Sequence, residues 1–506
     1  MLDFGMETRR INQIIEVGAR SKLSDLEFLE LEVTKFLRSP QRRMMVDGEN
    51  YYNFDHEIGM KRRMVLTDNG TEEDHNLPNN RLVDNQYSTM VDQKVNYILS
   101  KPITFKTENK AYARALADVF NKAFNRLIKD IGRDAYNGAV GWLYPYYNER
   151  GEFVFRRFHP WESLPFWKDD DHTELDFFTR VYEVLAYEGK EEKKLQFVDV
   201  YDTKGIHHFT RDANGKLLPD YSINYFELKS GNNEDDIEAY NWDRVPVIPF
   251  KSSGAEMPLI RKAKCLQDAI NQVLSDFADG MQENASGNSI LVIHNYGGTN
   301  LGEFRRNLIQ YRAVKVESVD GTDGGIDTLK IEVNSDNYKL ILDELRKALI
   351  RNCRGYDIEE LKSSGSPNEM TIKSIFAAID MDANELETEF QASFEQLLWF
   401  VNAHLLNAHV GDFSNEEVDV IFNRDLMINE SQVITDCQNS AGILSQKTII
   451  ANHPWTTDPE LEWQQVQDEQ NQKLADTDYS FGSPMNDNKD NEDTEGGDEE
   501  DGEGNS

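Results

Sequence analysis

The chain has 506 residues, of which 91 are acidic and 54 are basic, so its formal net charge at pH 7 is -37. The acidic excess persists without the tail that follows residue 475, so the surface of the folded part should be acidic and repel phosphate. This excludes an ordinary DNA-binding protein, which has a basic patch, but it suits a surface that DNA slides past. The three cysteines form no CxxC pair, and no apolar run is long enough for a signal peptide or a membrane span, so we expect a soluble, unsecreted protein in a reducing compartment.

Two helix starts are predicted near the beginning of the chain. The capping-box pattern Ser24-Asp25-Leu26-Glu27 indicates the first start. Ser39-Pro40 then indicates an interruption and a second start, because proline suits the first turn of a helix but not its interior.

The stretch 79–105 predicts a loop, a helix and a short extended exit. The helix places on one side Tyr87, Val91, Lys94 or Val95, and Ile98. Two further helices are expected at 109–129 and 130–139.

The hydrophobic period changes from Gly141 onward. WLYPYYNERGEFVFRRF contains two apolar and aromatic runs about a turn at Gly151, which is typical of a β-hairpin. Later strands are expected near 177–188, 195–202, 206–211 and 221–228. The sequence therefore predicts an antiparallel meander joined to a helical subdomain, with a polar hinge at 231–238.

Two amphipathic helices bracket a small insert in the centre of the chain. The apolar stripe of the first helix contains Leu259, Ala263, Leu266, Ile270, Val273, Phe277 and Met281. The second helix repeats this spacing at Tyr338, Leu342, Leu345 and Leu349. Between them SILVIHNY, RAVKVESV and TLKIEV alternate as strands do, so a helical hairpin with a small domain at its tip is predicted.

A glycine- and serine-containing loop, GYDIEELKSSGSP, follows the second helix and leads into a long helix. The apolar residues of that helix, from Ile372 to Leu405, recur at a period close to that of a straight α-helix. Two or more helices are expected at 430–475. The remaining tail is too polar to bury a core and is expected to be disordered. The predicted class is α+β and mainly helical.

No pattern for catalysis is found. GxxxxGK[ST], GxSxG and HExxH are absent, so we expect no enzyme activity, catalytic residue, metal or cofactor. The alternative is a metal-dependent DNA-processing enzyme that uses the acidic cluster near Asp169, whose members are Asp169, Asp170, Asp171, His172, Glu174 and Asp176. Because consecutive carboxylates on a loop point in different directions, a solvated loop is the ordinary interpretation.

Basic residues on the second hairpin helix stand out against the acidic background. They are Lys339, Arg346, Lys347, Arg351 and Arg354. One interpretation is pairing with Asp343 and Glu344 along the helix, worth a few tenths of a kcal/mol per pair. The other is a ring of positive charge that faces a polyanion in an oligomer. The residues alone favour neither.

Three stretches, in their order and spacing, resemble the portal proteins of tailed double-stranded DNA bacteriophages, in particular the group of about five hundred residues from phages of Gram-positive hosts. They are NNRLVDNQYSTMVDQKVNYILSKPITF at 79–105, VPVIPFKSSGAEMPLIRKAKCLQDAINQVLSDFAD at 245–279 and SQKTIIANHPWTTDPELEWQQVQDEQ at 445–470. None is a catalytic fingerprint. The resemblance extends over roughly residues 40–470.

The resemblance implies a ring of subunits, twelve in the virion, around a channel for DNA packaging and ejection. It labels the parts as wing (1–250), first stem helix (251–285), clip (286–334), second stem helix (335–354), tunnel loop (355–367), spoke helix with return to the wing (368–429), crown (430–475) and disordered acidic tail (476–506). The implied partners are other subunits, DNA, terminase, a head-completion adaptor, and the major capsid and scaffolding proteins, with no membrane. The implied location is the portal vertex of the virion, after assembly in the host cytoplasm. Another minor capsid or scaffold protein is the remaining alternative.

The resemblance also implies two sets of site residues. Those expected at the DNA channel are Arg346, Lys347, Arg351, Arg354, Glu359, Glu360, Lys362, Ser363 and Ser364. Those expected at subunit and adaptor contacts in the clip are Ile290, Val292, Tyr296, Val314, Val316, Leu329 and Ile331. The loop departs from the family pattern, since Ser363-Ser364-Gly365-Ser366-Pro367 replaces a Gly/Asn/Ser-rich motif that ends in Ser-Gly.

Overall fold

The structure is a computed structural model that describes residues 25–67, 70–74, 77–229, 237–285, 290–294, 302, 325–329, 335–357, 369–424, 430–456 and 459–480. The chain divides into two compact units, Met1–Leu426 and Met427–Ser506. Helices and antiparallel sheets both occur, which confirms the α+β, mainly helical class.

The helices described in the first unit are α1 (Asp25–Arg38), α2 (Pro40–Tyr52), α3 (Gln86–Leu99), α4 (Lys110–Val119), α5 (Lys122–Gly138), α6 (Ile260–Ala285), α7 (Ser335–Asn352) and α8 (Glu369–Asn407). The strands are β1 (Met64–Thr67), β2 (Gly70–Glu73), β3 (Thr104–Lys106), β4 (Val140–Tyr147), β5 (Phe153–Phe158), β6 (Ser163–Trp167), β7 (Leu175–Glu188), β8 (Glu191–Asp202), β9 (Gly205–Arg211), β10 (Leu217–Ile223), β11 (Phe226–Lys229), β12 (Ile237–Tyr240), β13 (Ile248–Lys251), β14 (Ile290–His294), β15 (Gly325–Leu329) and β16 (Asp419–Ile421).

Polar side chains cap the early helices. Ser39 accepts a hydrogen bond from the Arg42 amide at 3.1 Å, and Pro40 opens α2, so the predicted restart is confirmed. Asn121 accepts hydrogen bonds from the amides of Ala123 and Phe124. The expected break between 109–129 and 130–139 is wrong, because this cap starts α5 at Lys122 and the helix then continues to Gly138.

The predicted antiparallel meander is confirmed for β6 to β10, which form one sheet in the order β10-β9-β8-β7-β6. Successive side chains of a strand point to opposite faces, so one face of this sheet can be apolar. That face packs on α1, where Phe28, Leu29 and Val33 are buried together with Val181 and Val198. The strand expected near 221–228 is wrong, because the chain there divides between β10 and β11, and β11 pairs with β12 in a separate sheet.

The main core lies between a second sheet, in the order β13-β4-β5, and helices α3, α5 and α8. The predicted hairpin at Gly151 is confirmed, since β4 pairs with β5. Strand β13 pairs with β4, and the Phe250 ring lies 5.0 Å from that of Phe390 on α8. The predicted boundary between wing and first stem helix therefore falls inside β13, and the domain boundaries remain predictions. Most of the expected hinge at 231–238 lies outside the described residues.

Helix α8 is the long helix that the sequence predicts. It has 39 residues and spans roughly 60 Å at about 1.5 Å per residue. Its buried row contains Phe376, Ile379, Ala383, Leu386, Phe390, Phe394, Leu397, Val401 and Leu405. After α8 the chain returns to the first helical region, where β16 pairs with β3.

The second unit contains α9 (Glu430–Asn439), α10 (Gln446–Asn452) and α11 (Pro459–Ser480). Ser445 caps α10 by accepting a hydrogen bond from the Thr448 amide at 3.2 Å. Helix α11 ends at Ser480, so the first residues of the expected disordered tail, 476–480, are helical. Within the described ranges, no helix has the length and apolar composition needed to cross a membrane.

Candidate functional site

Helices α6 and α7 pack side by side and form the predicted hairpin. At its tip β14 pairs with β15 in antiparallel register. The apolar stripe on α6 is confirmed near its start, where Leu259, Ala263 and Ile270 are buried, whereas Met281 near its end is 50% exposed.

In addition to the predicted apolar stripe, helix α6 carries a row of buried polar side chains. Gln267, Asn271, Ser275 and Asp279 follow one another at intervals of four residues, so they lie on one face, and each is at most 5% exposed. Buried polar side chains need hydrogen-bond partners. Their partners are in residues 79–85, which we call the strap, and at the start of α3.

The strap runs along α6 in the opposite direction and donates its backbone amides to this row. The acceptors are Asp279 Oδ1 for Asn80 N at 2.7 Å, Ser275 Oγ for Leu82 N at 3.0 Å, Asn271 Oδ1 for Asp84 N at 3.0 Å and Gln267 Oε1 for Tyr87 N at 3.0 Å. Three of these amides belong to the strap and the fourth, that of Tyr87, to the first turn of α3. Side chains of α6 thus satisfy backbone amides of the strap that no neighbouring strand pairs with.

Asp279 closes the end of this row. Its Oδ2 accepts a hydrogen bond from Lys61 Nζ at 2.9 Å. Partial burial opposes ionisation of Asp279, but the hydrogen bonds from Asn80 and Lys61 outweigh it and hold the pKa of this carboxyl below its usual value.

The strap contacts α7 through an ion pair. Asp84 Oδ2 lies 2.9 Å from Arg346 Nε and 2.8 Å from Arg346 Nη2. Asp343 lies farther from the guanidinium, at 3.7 Å. Arg346, one of the residues expected at the DNA channel, is therefore held mainly by the strap of its own chain.

The solvent-exposed face of α7 carries a short stripe that contains Lys347 and Arg351. Leu340, Glu344, Lys347 and Arg351 are all exposed and follow helical spacing, whereas Leu342 and Leu349 are buried on the other side. Among the residues that the structure describes, neither Lys347 nor Arg351 has an ion-pair partner within 4.0 Å. Pairing along the helix thus accounts for part of the basic cluster, but not for these two cations.

Arg354 occupies the position just after α7 in a left-handed conformation, with φ of 54°. The Gly355 amide donates to the Ile350 carbonyl at 2.9 Å and the Arg354 amide to the Arg351 carbonyl at 3.1 Å, which is the Schellman pattern of a helix end. Glycine usually fills this position, so an arginine here strains the backbone. The Arg354 guanidinium lies 3.7 Å from Glu385.

The base of the predicted tunnel loop rests on α3. A side chain at Gly355 would place its Cβ 2.4 Å from Met90 Sδ, so a larger residue there would have to displace the Met90 side chain. The ring of Tyr356 lies 4.7 Å from that of Phe376, at the start of α8. The remaining residues expected at the channel, Glu359, Glu360, Lys362, Ser363 and Ser364, lie outside the described residues.

The expected clip contacts are described only in part. Ile290 and Val292 belong to β14 and Leu329 to β15, and Ile290 stands directly opposite Leu329 in the pair. Tyr296, Val314, Val316 and Ile331 lie outside the described residues, as does RAVKVESV.

Several side chains of the acidic cluster near Asp169 have local partners. Asp169 accepts hydrogen bonds from the amides of Thr173 and Glu174, Lys168 bonds Glu174, and His172 pairs with Glu256 at 2.8 Å. Within the described residues, no three His, Cys, Asp or Glu side chains are grouped in a way that could hold a metal ion.

Sequence reasoning also missed a buried ion pair that joins α3 to α8. Lys94 is 1% exposed and its Nζ lies 2.7 Å from Asp382 Oδ2, which also accepts a hydrogen bond from Tyr136. Burial lowers the pKa of Lys94, and Asp382 opposes that shift. The sequence places Lys94 on the inner side of α3, but its partner is distant along the chain.

The family model described as "Phage portal protein, SPP1 Gp6-like" matches residues 41–475. The portal protein of Bacillus phage SPP1 is 26% identical over 472 residues, which cover 92% of this chain and 90% of that protein. The portal protein of Clostridium phage phiCD119 is 24% identical over 447 residues, covering 85% and 94%. Among solved structures, a chain in the neck of an empty GTA particle computed with C6 symmetry has 10% identity and a TM-score of 0.38, covering 72% of this chain and 88% of its own length.

The family model covers most of the chain, including the strap, both hairpin helices and the long helix. The chain therefore belongs to the SPP1 Gp6-like family of phage portal proteins.

Proposed function

We propose that twelve copies of this chain form a ring at one vertex of the capsid, and that DNA enters and leaves the head through the central channel. Family membership supports the portal role. The observation that carries the channel assignment is the exposed pair Lys347 and Arg351 on α7, which has no ion-pair partner in the described part of a strongly acidic chain.

A mostly acidic channel wall with limited positive charge suits a conduit. DNA must pass without settling in a deep electrostatic well, since each neutralised phosphate adds to binding through the release of counterions. Exposed cations interact weakly with phosphate at physiological salt because the screening length is about 8 Å. Lys347 and Arg351 then offset the repulsion between DNA and the acidic wall without trapping the duplex.

The clip is the proposed docking surface for terminase and later for the head-completion adaptor. In the described part of the clip, β14 and β15 form a two-stranded pair. Such a pair is at best marginally stable alone, so contacts with adjacent subunits would stabilise it. In this account terminase supplies the ATPase, and the portal itself is a non-enzymatic part of the virion that assembles in the host cytoplasm with the major capsid and scaffolding proteins. A variant lacking residues 288–333 should fail to form normal rings; normal rings would contradict the clip's role in subunit contacts.

Neutralising the exposed cations of α7 tests the channel assignment. Heads assembled with the Lys347→Gln/Arg351→Gln portal should retain normal rings but protect several-fold less DNA from nuclease. The matched control is Lys110→Gln/Arg114→Gln, an exposed pair with the same spacing on α4, which should package normally. Wild-type packaging by the α7 variant would refute the assignment. DNA cleavage by the purified protein with Mg²⁺ or Mn²⁺, lost on Asp169→Ala, would instead favour an enzyme.

A further inference from the structure

Asp84 lies in the strap and forms hydrogen bonds with both stem helices. Toward α6, its amide donates to Asn271 Oδ1 at 3.0 Å and its carbonyl accepts from Gln267 Nε2 at 2.7 Å. Toward α7, its carboxylate accepts a hydrogen bond from Arg346 Nε and forms an ion pair with Arg346 Nη2. The backbone of Asp84 is thus fixed to one helix and its side chain to the other.

The carboxylate of Asp84 is itself held in one orientation. Oδ1 accepts a hydrogen bond from Gln86 Nε2 at 2.7 Å, while Oδ2 faces the guanidinium of Arg346. Two guanidinium nitrogens on one carboxylate fix direction as well as distance, because the guanidinium is planar and its donors diverge at set angles. The pair is partly exposed, with side chains 39% and 20% accessible, so its role is geometric more than stabilising.

Holding Arg346 constrains how α7 is turned about its own axis. Successive residues of an α-helix are about 100° apart, so Lys347 and Arg351 project about 100° and about 140° around the axis from Arg346. Burial of Leu342 and Leu349 is driven by the hydrophobic effect, which is non-directional. The Asp84 contact with Arg346 supplies a directional restraint.

We propose that Asp84 is a positioning residue for the channel: through Arg346 it sets the rotation of α7 and therefore where Lys347 and Arg351 point. This inference rests on the proposed function of those two cations. Under this proposal Arg346 does not contact DNA, because its guanidinium restrains the rotation of α7.

The test combines two changes in the full-length portal assembled into heads, with nuclease-protected DNA per head as the measurement. Asp84→Asn keeps the backbone bonds to α6 and weakens the bond to Arg346. It should lower packaging several-fold in the wild-type background and cause no further loss in the Lys347→Gln/Arg351→Gln background. The matched control is Asp47→Asn, which weakens a 2.7 Å bond from Lys264 of α6 without touching α7 and should package normally.

The outcomes separate this proposal from the one on which it rests. If Lys347→Gln/Arg351→Gln packages normally, the channel assignment fails. If that variant is impaired but the loss from Asp84→Asn is absent, or is equally large in both backgrounds, the positioning role of Asp84 is overturned.

If Asp84→Asn assembles poorly, a second variant tests the same contact from the other side. Arg346→Lys keeps the positive charge but loses the two-pronged contact, and it should reproduce the loss. A cryo-EM map of either ring should show α7 turned relative to wild type. An unchanged α7 would overturn the proposal whatever the packaging yield.

Discussion

The side-chain amide of Gln93 bonds both backbone groups of Tyr356. Gln93 Nε2 donates to the Tyr356 carbonyl at 3.1 Å, and Gln93 Oε1 accepts from the Tyr356 amide at 3.2 Å. These residues are 263 positions apart, so α3 fixes the chain just before the predicted tunnel loop. The base of that loop therefore depends on a helix far away in the sequence.

Removing this amide should destabilise the protein measurably. Gln93→Ala leaves two partly buried backbone groups of Tyr356 without their partner, at a cost of about 1–3 kcal/mol in the free energy of unfolding. Urea denaturation at fixed protein concentration measures it. Gln396→Ala is the control, since Gln396 makes one long bond, at 3.4 Å to the Thr173 carbonyl, and should cost less. Equal losses of unfolding free energy in the two variants would show that the paired hydrogen bonds to Tyr356 add nothing to stability.

Arg354→Gly should stabilise the protein by about 1 kcal/mol, because glycine adopts the left-handed conformation after α7 without strain. Thermal unfolding of the variant is the measurement. Lys347→Gly, inside the same helix, should have the opposite effect and cost about 1 kcal/mol. A loss of stability in Arg354→Gly would mean that the contact with Glu385 outweighs the backbone strain.

The pKa of Asp134, raised by burial to about 8, should make stability depend on pH. Its ordinary value is 3.8, so between these values the folded state holds a proton that the unfolded state has released. The contribution of Asp134 to the free energy of unfolding therefore falls as the pH rises between these two values, by at most about 1.4 kcal/mol per pH unit.

Asp134→Asn should remove that contribution. Its unfolding free energy relative to wild type should rise from about pH 5 to about pH 8, as followed by urea titrations at several pH values. Asp130→Asn is the control, one turn earlier on α5, where Arg133 lies 2.9 Å away. A constant difference between Asp134→Asn and wild type across the window would contradict the raised pKa.

Lys94→Met should be strongly destabilising, because it leaves the partly buried Asp382 carboxylate without its cation; removing one partner of a buried pair costs about 3–5 kcal/mol. The double variant Lys94→Met/Asp382→Leu should recover most of this loss in chemical denaturation. If the double variant were no better than the single one, the cost would come from packing and not from the unpaired charge.

Periodicity predicts the elements of this fold better than it predicts their partners. The apolar rows of α6, α7 and α8 are visible in the sequence, because burial repeats with the helical period. For the strap the sequence predicts only a loop, although the polar row of α6 that holds it, Gln267, Asn271, Ser275 and Asp279, already recurs at helical spacing.

Long-range pairing explains what the sequence left open. Asp84 and Arg346 are 262 positions apart, and nothing local distinguishes Arg346 from Lys347 or Arg351. Only the fold assigns Arg346 to the strap and leaves its two neighbours exposed. The strain at Arg354 is equally hidden, because it arises from the end of a helix whose last residue cannot be located by pattern alone.

The central claim is that the exposed stripe of α7 lines a channel in a closed ring. A cryo-EM map of the purified full-length protein tests it most directly. We predict rings with a central opening, onto which Lys347 and Arg351 of every subunit project. Monomers, or rings in which these two side chains are buried between subunits or face outward, would contradict it.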